Sequence, residues 1–226
     1  MNATNQLFDA VRKGNVAEAA TLLDADPALL GARRTGVSAL LFAVYVGHPE
    51  IARIFLDRGA DLDVFEASAT GEIGRLEKRL AEDPSCANAV AADGFTPLGL
   101  AAFFRQRDAV RLLIARGALV NTASQNAQRV APLHSAVAGG DEGIVADLLA
   151  HGADVEARQE FGFTPLHNAA TEGNETIIRL LLDRGADRSA RSDSGKTPED
   201  IARDRGRAET AELLRAEAAS GGQVST

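Results

Sequence analysis

The sequence contains few of the residues that usually carry covalent or metal chemistry. Across 226 residues there are one cysteine, Cys86, one tyrosine and no tryptophan, and aromatic residues make up 4%. A single cysteine excludes an intramolecular disulfide and a zinc site built on several cysteines, and this usage suits a reducing compartment. Residues 1–11 lack a basic stretch followed by an apolar one, and no run approaches the roughly 18 apolar residues of a membrane span. We therefore expect a cytoplasmic protein.

Positive charge is also scarce. The chain has 24 Lys and Arg against 32 Asp and Glu, for a net charge of −8, which argues against nucleic acid or an anionic membrane as a partner. The content of 45% hydrophobic and 25% charged residues is typical of a folded globular protein. Nearly all basic residues are arginine and alanine is abundant, a bias that predicts a bacterial source with a GC-rich genome.

An internal repeat organises the chain. The segment Phe163–Gly173 (FTPLHNAATEG) resembles Phe95–Arg105 (FTPLGLAAFFR). Five weaker copies are Val37–Gly47, Val130–Gly140, Lys196–Gly206, Leu7–Gly14 and Val64–Gly71. The copies close at positions 14, 47, 71, 105, 140, 173 and 206, so that successive intervals are 33, 24, 34, 35, 33 and 33 residues. The sequence therefore predicts seven units over residues 1–216, followed by a polar, disordered tail at 217–226.

Each unit is predicted to form a pair of helices. Threonine can cap the first helix by accepting a backbone N–H, and the proline after it suits the first helical position. The second helix has apolar residues at helical spacing and ends at a glycine suited to left-handed backbone, as at Gly59, Gly117, Gly152 and Gly185. One such pair cannot bury its apolar face alone, so the units must stack into an all-α repeat solenoid.

The T-P-L-H motif and the period of 33 resemble the ankyrin repeat family. This resemblance implies stacked helix-turn-helix units joined by β-turn fingers, and a non-catalytic module that binds proteins through its concave groove and finger row. The 24-residue interval leaves no room for a finger, so we expect one finger to be missing between units two and three, with a gap in the row. Two extra residues around 121–128 predict a longer finger at the fourth interval.

Candidate catalytic residues are all explained by the repeat. His134 and His167 occupy the T-P-L-H motif, where the resemblance implies that they tie adjacent turns together. The segment Ser194–Thr197 (SGKT) matches the end of a P-loop but lacks its first glycine. No carboxylate pair is isolated in an apolar setting, and H-E-x-x-H spacing is absent. We expect no catalytic residue, no metal and no cofactor, and hence no enzyme.

The aromatic residues sort by their position in the repeat. Four phenylalanines fall on core-facing positions: Phe8, Phe42, Phe55 and Phe65. The other five fall at finger bases (Phe95, Phe163), at a finger tip (Phe161), and at two variable positions near the end of a first helix (Phe103, Phe104), to which Tyr45 and Val46 correspond in unit two. Five aromatic rings would make an apolar patch of several hundred Å², on the scale of roughly 300–600 Å² that is often functional.

These positions define the predicted partner-binding site, which comprises Tyr45, Val46, Phe95, Phe103, Phe104, Arg129, Arg158, Phe161 and Phe163. Arg33, Arg34 and Arg105 fall on or beside the same strip, so the groove is expected to be apolar and locally basic. A protein or peptide with apolar anchors and some acidic character would suit it, and we expect a monomer. The alternatives are a self-associating structural protein, with the patch as a homodimer interface, and a regulatory subunit of an enzyme complex. Phe95 and Phe163 could instead pack under the next finger.

Overall fold

The computed structural model describes residues 2–220, with side chains described as far as Arg215. The described residues contain fourteen α-helices and one two-stranded ribbon. The helices, in pairs from unit one to unit seven, are α1 (Ala3–Arg12) and α2 (Val16–Ala25), α3 (Ala39–Tyr45) and α4 (Pro49–Asp57), α5 (Val64–Thr70) and α6 (Ile73–Glu82), α7 (Pro97–Phe103) and α8 (Arg107–Ala115), α9 (Pro132–Gly139) and α10 (Glu142–Ala150), α11 (Pro165–Glu172) and α12 (Glu175–Asp183), and α13 (Pro198–Asp204) and α14 (Ala208–Ser220). This is the all-α repeat solenoid expected from the sequence.

The first helices of successive units stack on one another, from α1 to α13. Beside them, α2 packs on α4, and α6, α8, α10 and α12 pack in series. Small residues permit the close approach of the first helices, since Ala101, Ala102, Ala169 and Ala170 are fully buried. Leucine, isoleucine and valine from both layers fill one continuous core along the array. Each unit thus buries its apolar faces against its neighbours, as a solenoid requires.

Most first helices begin at side-chain caps, whereas α9 follows Ala131, which makes no side-chain capping bond. Thr96 Oγ1 accepts the N–H of Gly99 at 3.1 Å, and Thr197 Oγ1 accepts the N–H of Asp200 at 3.2 Å. A proline follows each threonine at the first helical position, where its missing N–H costs nothing. In α5, which has no Thr-Pro step, Asp63 and Glu66 form a reciprocal capping box instead. The repeat motif therefore fixes where each of these helices starts.

Five fingers project between units, at residues 33–38, 89–96, 121–130, 157–164 and 190–197. The first is the ribbon, in which β1 (Arg33–Arg34) pairs antiparallel with β2 (Val37–Ser38). Single backbone hydrogen bonds join later neighbours: Gln125 N–H donates to Gly94 O at 2.8 Å, and Glu160 N–H to Gln128 O at 2.8 Å. The fingers consequently form a connected row.

The missing finger does not leave the expected gap. Only residues 58–63 link α4 to α5, so unit three has no finger. The fingers on either side meet directly, because a Cβ added at Gly36 would lie 2.3 Å from Ala92 Cβ. The finger at 33–38 and the finger at 89–96 therefore close over unit three, and the row is continuous.

Three short 3-10 helices were not expected from the sequence, and one of them, Glu160–Gly162, lies in the finger at 157–164. The 3-10 helices at Pro27–Gly31 and Pro84–Asn88 follow α2 and α6. Each begins at an aspartate, Asp26 or Asp83, whose side chain accepts a backbone N–H from the helix. The helix α14 runs to Ser220, four residues beyond the expected end of the array at 216. Alanine and glutamate at the end of α14 are strong helix formers, which accounts for the extension. The rest of the expected disordered tail, 221–226, lies outside the described residues.

Within residues 2–220, every helix falls short of the length and apolar character that a membrane crossing demands.

Candidate functional site

Four aromatic side chains gather where α3 and α7 end. Tyr45, Phe95, Phe103 and Phe104 line a pocket of about 210 Å³ together with Gly99, Leu100 and Ser135. We call these four residues and the space between them the aromatic pocket. Beneath the pocket, Leu41, Ala69 and Leu100 form a small apolar cluster apart from the main core. The aromatic pocket is the open side of that cluster.

The rings of the pocket meet at defined angles. Phe103 stands edge-on to Phe104, with centroids 5.1 Å apart and planes at 89°. Tyr45 stacks on Phe104 at 5.9 Å and 21°. Phe103 exposes 48% of its surface, whereas the other three are half-buried. The pocket therefore has perpendicular aromatic walls, one of which faces solvent.

A carboxylate behind the pocket holds two of its walls. Tyr45 Oη donates a hydrogen bond to Asp93 Oδ2 at 2.6 Å, and the N–H of Phe95 donates to Asp93 Oδ1 at 3.3 Å. Burial raises the pKa of Tyr45, and the hydrogen bond to Asp93 and the charges of Asp93 and Asp63 raise it further. Tyr45 belongs to unit two and Asp93 to the finger before unit four. The missing finger is what lets them meet.

The remaining predicted aromatics form a second group. Phe161 is 67% exposed at a finger tip, and Phe163 is half-buried with its ring stacked on His167 at 5.1 Å. Both line a second pocket of about 260 Å³ with Gln128, Asn168 and Glu172 among its polar walls. No ring contact among the described residues links this group to the aromatic pocket. The predicted patch is thus divided into two subsites, and none of its five phenylalanines is buried.

Phe161 has an unusual backbone, with φ of 63° and ψ of 17°. A left-handed conformation costs a non-glycine residue roughly 1–2 kcal/mol. Strain of this kind clusters at functional sites in proteins. The fold of the finger must therefore stabilise the left-handed backbone of Phe161, whose ring is exposed at the tip.

Val46, the aliphatic residue of the predicted site, packs against the main core. It is half-buried at the end of α3 and lines neither pocket. The structure therefore separates it from Tyr45, its neighbour in the predicted set.

The predicted arginines are mostly engaged within the fold. Arg158 donates to Gly162 O at 3.2 Å and to Arg191 O at 2.9 Å. Arg33 pairs with Asp63 at 2.9 Å and with the buried Glu66 at 3.3 Å. Burial is the main cause that raises the pKa of Glu66.

The other three arginines differ in their surroundings. Arg34 lies 4.9 Å from the ring centroid of Phe8, and the Nε of Arg105 donates to Gly139 O. Arg129 is exposed on its finger, with φ of 51°. Because four of the five guanidinium groups are used internally, the groove offers a partner less basic charge than the sequence predicts.

The motif histidines tie neighbouring units together. His134 Nε2 lies 3.1 Å from Phe163 O, and His167 Nε2 lies 3.1 Å from Lys196 O. Burial lowers the pKa of both imidazoles, that of His134 to about 4. The contacts between adjacent turns that the resemblance implies for these residues are present. No group of three or more His, Cys, Asp or Glu side chains suited to a metal ion occurs within the described part of the chain.

Asp93 is the site residue that sequence reasoning missed. Asp93 and Gly94 are a common turn pair, so the aspartate is explained by the finger alone. Its second role, holding Tyr45, depends on a contact across unit three between residues that are 48 positions apart in the sequence. The 24-residue interval was the one signal of that closure in the sequence.

Comparisons with known proteins agree with this architecture. The family model for three copies of ankyrin repeats matches residues 64–159 and 133–223, and the single ankyrin repeat model matches residues 35–65. The rat (Rattus norvegicus) protein "Ankyrin repeat and SAM domain-containing protein 6" is 36% identical over 102 residues, which is 45% of this chain and 11% of that relative. Ankyrin repeats are generally protein–protein interaction modules and are typically non-catalytic. The family models cover most of the chain, and the chain therefore belongs to the ankyrin repeat family.

Proposed function

We propose that this protein is a non-catalytic binding module that holds a protein or peptide partner along its concave groove and finger row. The aromatic pocket carries the proposal. Phe103 leaves about half of its surface in solvent above a ready-made apolar cluster. Aromatic residues are enriched among the few positions that supply most of the binding energy at protein interfaces. A partner side chain that filled the pocket would bury this surface.

The second subsite supports the same conclusion. The exposed ring of Phe161 stands beside a pocket whose lining includes amide and carboxylate groups. An apolar anchor flanked by polar groups is the usual arrangement of a binding site. The two subsites lie in units two to four and in units five and six, so a partner that contacts both must extend along the array.

Affinity capture from an extract of the source organism tests this proposal. We expect the wild-type chain to retain a partner that a Phe103→Asp/Phe161→Asp variant loses, since both side chains are exposed and both substitutions place a charge in a subsite. Phe163 is left intact because it stacks on His167. Circular dichroism checks that the variant stays folded.

The matched control is Leu119→Asp, which changes a residue that is 62% exposed and lines neither pocket. Its capture should equal that of the wild type. Equal capture by the double variant would place the site elsewhere on the array. Light scattering over a concentration series separates a monomer from a homodimer, and dimers that vanish with the double variant would favour self-association. The cytoplasmic location expected from the sequence stays a prediction, which cell fractionation checks.

A further inference from the structure

We propose that the aromatic pocket binds a methylated ammonium group, specifically the trimethylated side chain of a lysine in the protein partner. The proposal rests on the proposed function and names what one of its subsites recognises. It is carried by three properties of the pocket: the arrangement of its rings, the shortage of hydrogen-bonding groups in its lining, and the sign of the charge behind it.

Four aromatic side chains line one small volume. Phe103 and Phe104 are perpendicular, at 5.1 Å between centroids, and Tyr45 and Phe95 complete the lining. The face of an aromatic ring carries negative partial charge and attracts a cation within roughly 6 Å of its centroid. The space of about 210 Å³ is small. It suits a compact group such as trimethylammonium.

The lining selects against an ordinary lysine. An unmodified ammonium has three N–H donors, and each is costly to bury without an acceptor. The lining offers two side-chain hydroxyl oxygens as acceptors, those of Tyr45, which donates its own proton to Asp93, and of Ser135, for these three donors. A trimethylammonium has no N–H to satisfy and presents only methyl groups to the rings. Methylation therefore removes the main penalty of entry.

Charge distinguishes the ligand from a neutral apolar side chain. Asp93 lies behind the pocket, bonded to both Tyr45 and Phe95, and the lining contains no Lys or Arg. The charges of Asp93 and Asp63 both raise the pKa of Tyr45, so both carboxylates lie close enough to act on this wall. The nearby Arg105 directs its guanidinium to the carbonyl of Gly139. Together with the net charge of −8, this environment favours a cation.

The test is an NMR titration of the full chain with three capped amino acids: trimethyllysine, lysine, and the neutral analogue in which carbon replaces the trimethylated nitrogen. The trimethyllysine methyl protons should shift upfield when they lie over the ring faces. We expect trimethyllysine to bind about tenfold more tightly than lysine and about fivefold more tightly than the neutral analogue. Equal or tighter binding of the neutral analogue would show that the pocket takes an apolar side chain and would overturn the proposal.

Two variants sharpen the test. Phe103→Leu keeps an apolar side chain but removes a ring, so it should weaken trimethyllysine about fivefold and leave the neutral analogue nearly unchanged. Leu119→Asp should alter neither affinity. Absence of any shift with trimethyllysine at tens of millimolar also overturns the proposal. If that absence accompanies a partner whose capture depends on Phe103, the proposed function stands and this inference alone fails.

Discussion

The buried histidines show how single side chains connect the units and respond to acid. His167 Nδ1 lies 3.2 Å from the N–H of Thr164, and its Nε2 lies 3.1 Å from Lys196 O. The first contact requires an acceptor and the second a donor, so the neutral imidazole with its proton on Nε2 satisfies both. Protonation of Nδ1 would place its N–H opposite the N–H of Thr164, so that two donors would face each other without an acceptor. His134 makes the corresponding contact to Phe163 O.

This arrangement predicts loss of stability in mild acid. The pKa of His134 is lowered to about 4 in the folded chain, below its value of 6.5 in an unfolded one, so the unfolded state binds more protons between these values. The contribution of His134 is complete above pH 6.5 and is lost as the pH falls towards 4. It amounts to about 3 kcal/mol, at roughly 1.4 kcal/mol per unit of pKa. Urea unfolding at several pH values between 4 and 7 measures the slope.

The matched variants are His134→Gln and His151→Gln. The first should flatten the slope between pH 7 and pH 4. The second replaces an exposed histidine outside the motif and serves as the control. A slope unchanged by His134→Gln would show that other groups cause the acid sensitivity. Direct observation of the imidazole resonances by NMR assigns the titration to a residue.

At the residue scale, repeat position predicted the environment of most aromatics but not their partners. Phe103 falls at a variable position of the repeat and Phe161 at a finger tip, and both are exposed. The engagement of Arg158 with two carbonyls depends on finger geometry that spacing does not encode. The sequence places a charged side chain on one strip of the surface. Only the fold shows whether that side chain is already hydrogen-bonded to a backbone carbonyl.

At the element scale, side chains in the loops after the second helices link consecutive units. Asn121 Nδ2 donates to Gly152 O at 3.0 Å, and Asn121 Oδ1 accepts the N–H of Asp154 at 2.8 Å. Asn88 repeats both bonds one unit earlier, with Gly117 O and Leu119 N–H. Glu156, at the corresponding place one unit later, accepts the N–H of Asp187 at 2.8 Å, and a carboxylate cannot donate to the carbonyl.

This difference predicts unequal losses on truncation. Asn121→Ala removes two hydrogen bonds between loops and should destabilise the chain by about 1–2 kcal/mol, at about 1 kcal/mol per bond. Glu156→Ala removes one and should cost about half as much. Thermal or urea unfolding of the two variants beside the wild type provides the comparison. A larger loss from Glu156→Ala would contradict the assignment of these bonds.

The elements themselves were mostly predictable, because caps and glycines mark their ends. Thr-Pro steps located α7, α11 and α13, and a glycine follows the C-terminus of most helices. The 3-10 helices at Pro27–Gly31 and Pro84–Asn88 were missed. Each opens on an Asp-Pro pair that the repeat pattern treats as ordinary loop. Local capping of one short turn leaves no periodic signal.

At the scale of the whole molecule, contacts among the described residues run mainly between neighbouring units, and the missing finger brings units two and four together. The close approach of Gly36 to Ala92 joins unit two to unit four. A glycine is needed at position 36 both for this approach and for its φ of +86°. Gly195 occupies the same place in the last finger, with φ of +79°, but nothing lies within 4 Å of an added Cβ. Comparing substitutions at these two glycines therefore distinguishes the cost of backbone strain from the cost of a steric clash.

We predict that Gly36→Ala destabilises the chain more than Gly195→Ala. Both substitutions incur the left-handed backbone cost of roughly 1–2 kcal/mol, and Gly36→Ala adds an overpacking cost of about 1–3 kcal/mol. The double variant Gly36→Ala/Ala92→Gly should recover most of the difference, since it removes the colliding methyl group. Urea midpoints of the four chains measure this. Equal midpoints for the two single variants would show that the fingers at 33–38 and 89–96 do not touch.

The number of helix pairs and the absent finger followed from the intervals between repeats, but the closure of the row did not. Spacing shows that 24 residues are too few for a finger. Whether the neighbouring fingers then separate or meet depends on the curvature of the stack and on small residues such as Gly36 and Ala92 at their tips. These are properties of packing, and packing is not periodic along the chain.

The direct contact between the fingers of units two and four changes the order in which an extended ligand would encounter this surface. A strand lying across the tips passes from Gly36 to Ala92 in a single step, although 56 positions separate them in the polypeptide. Unit three contributes no finger between these two tips. The order of contacts along a bound ligand therefore follows which fingers are neighbours in space. An alignment of repeats would assign one of these contacts to the wrong unit.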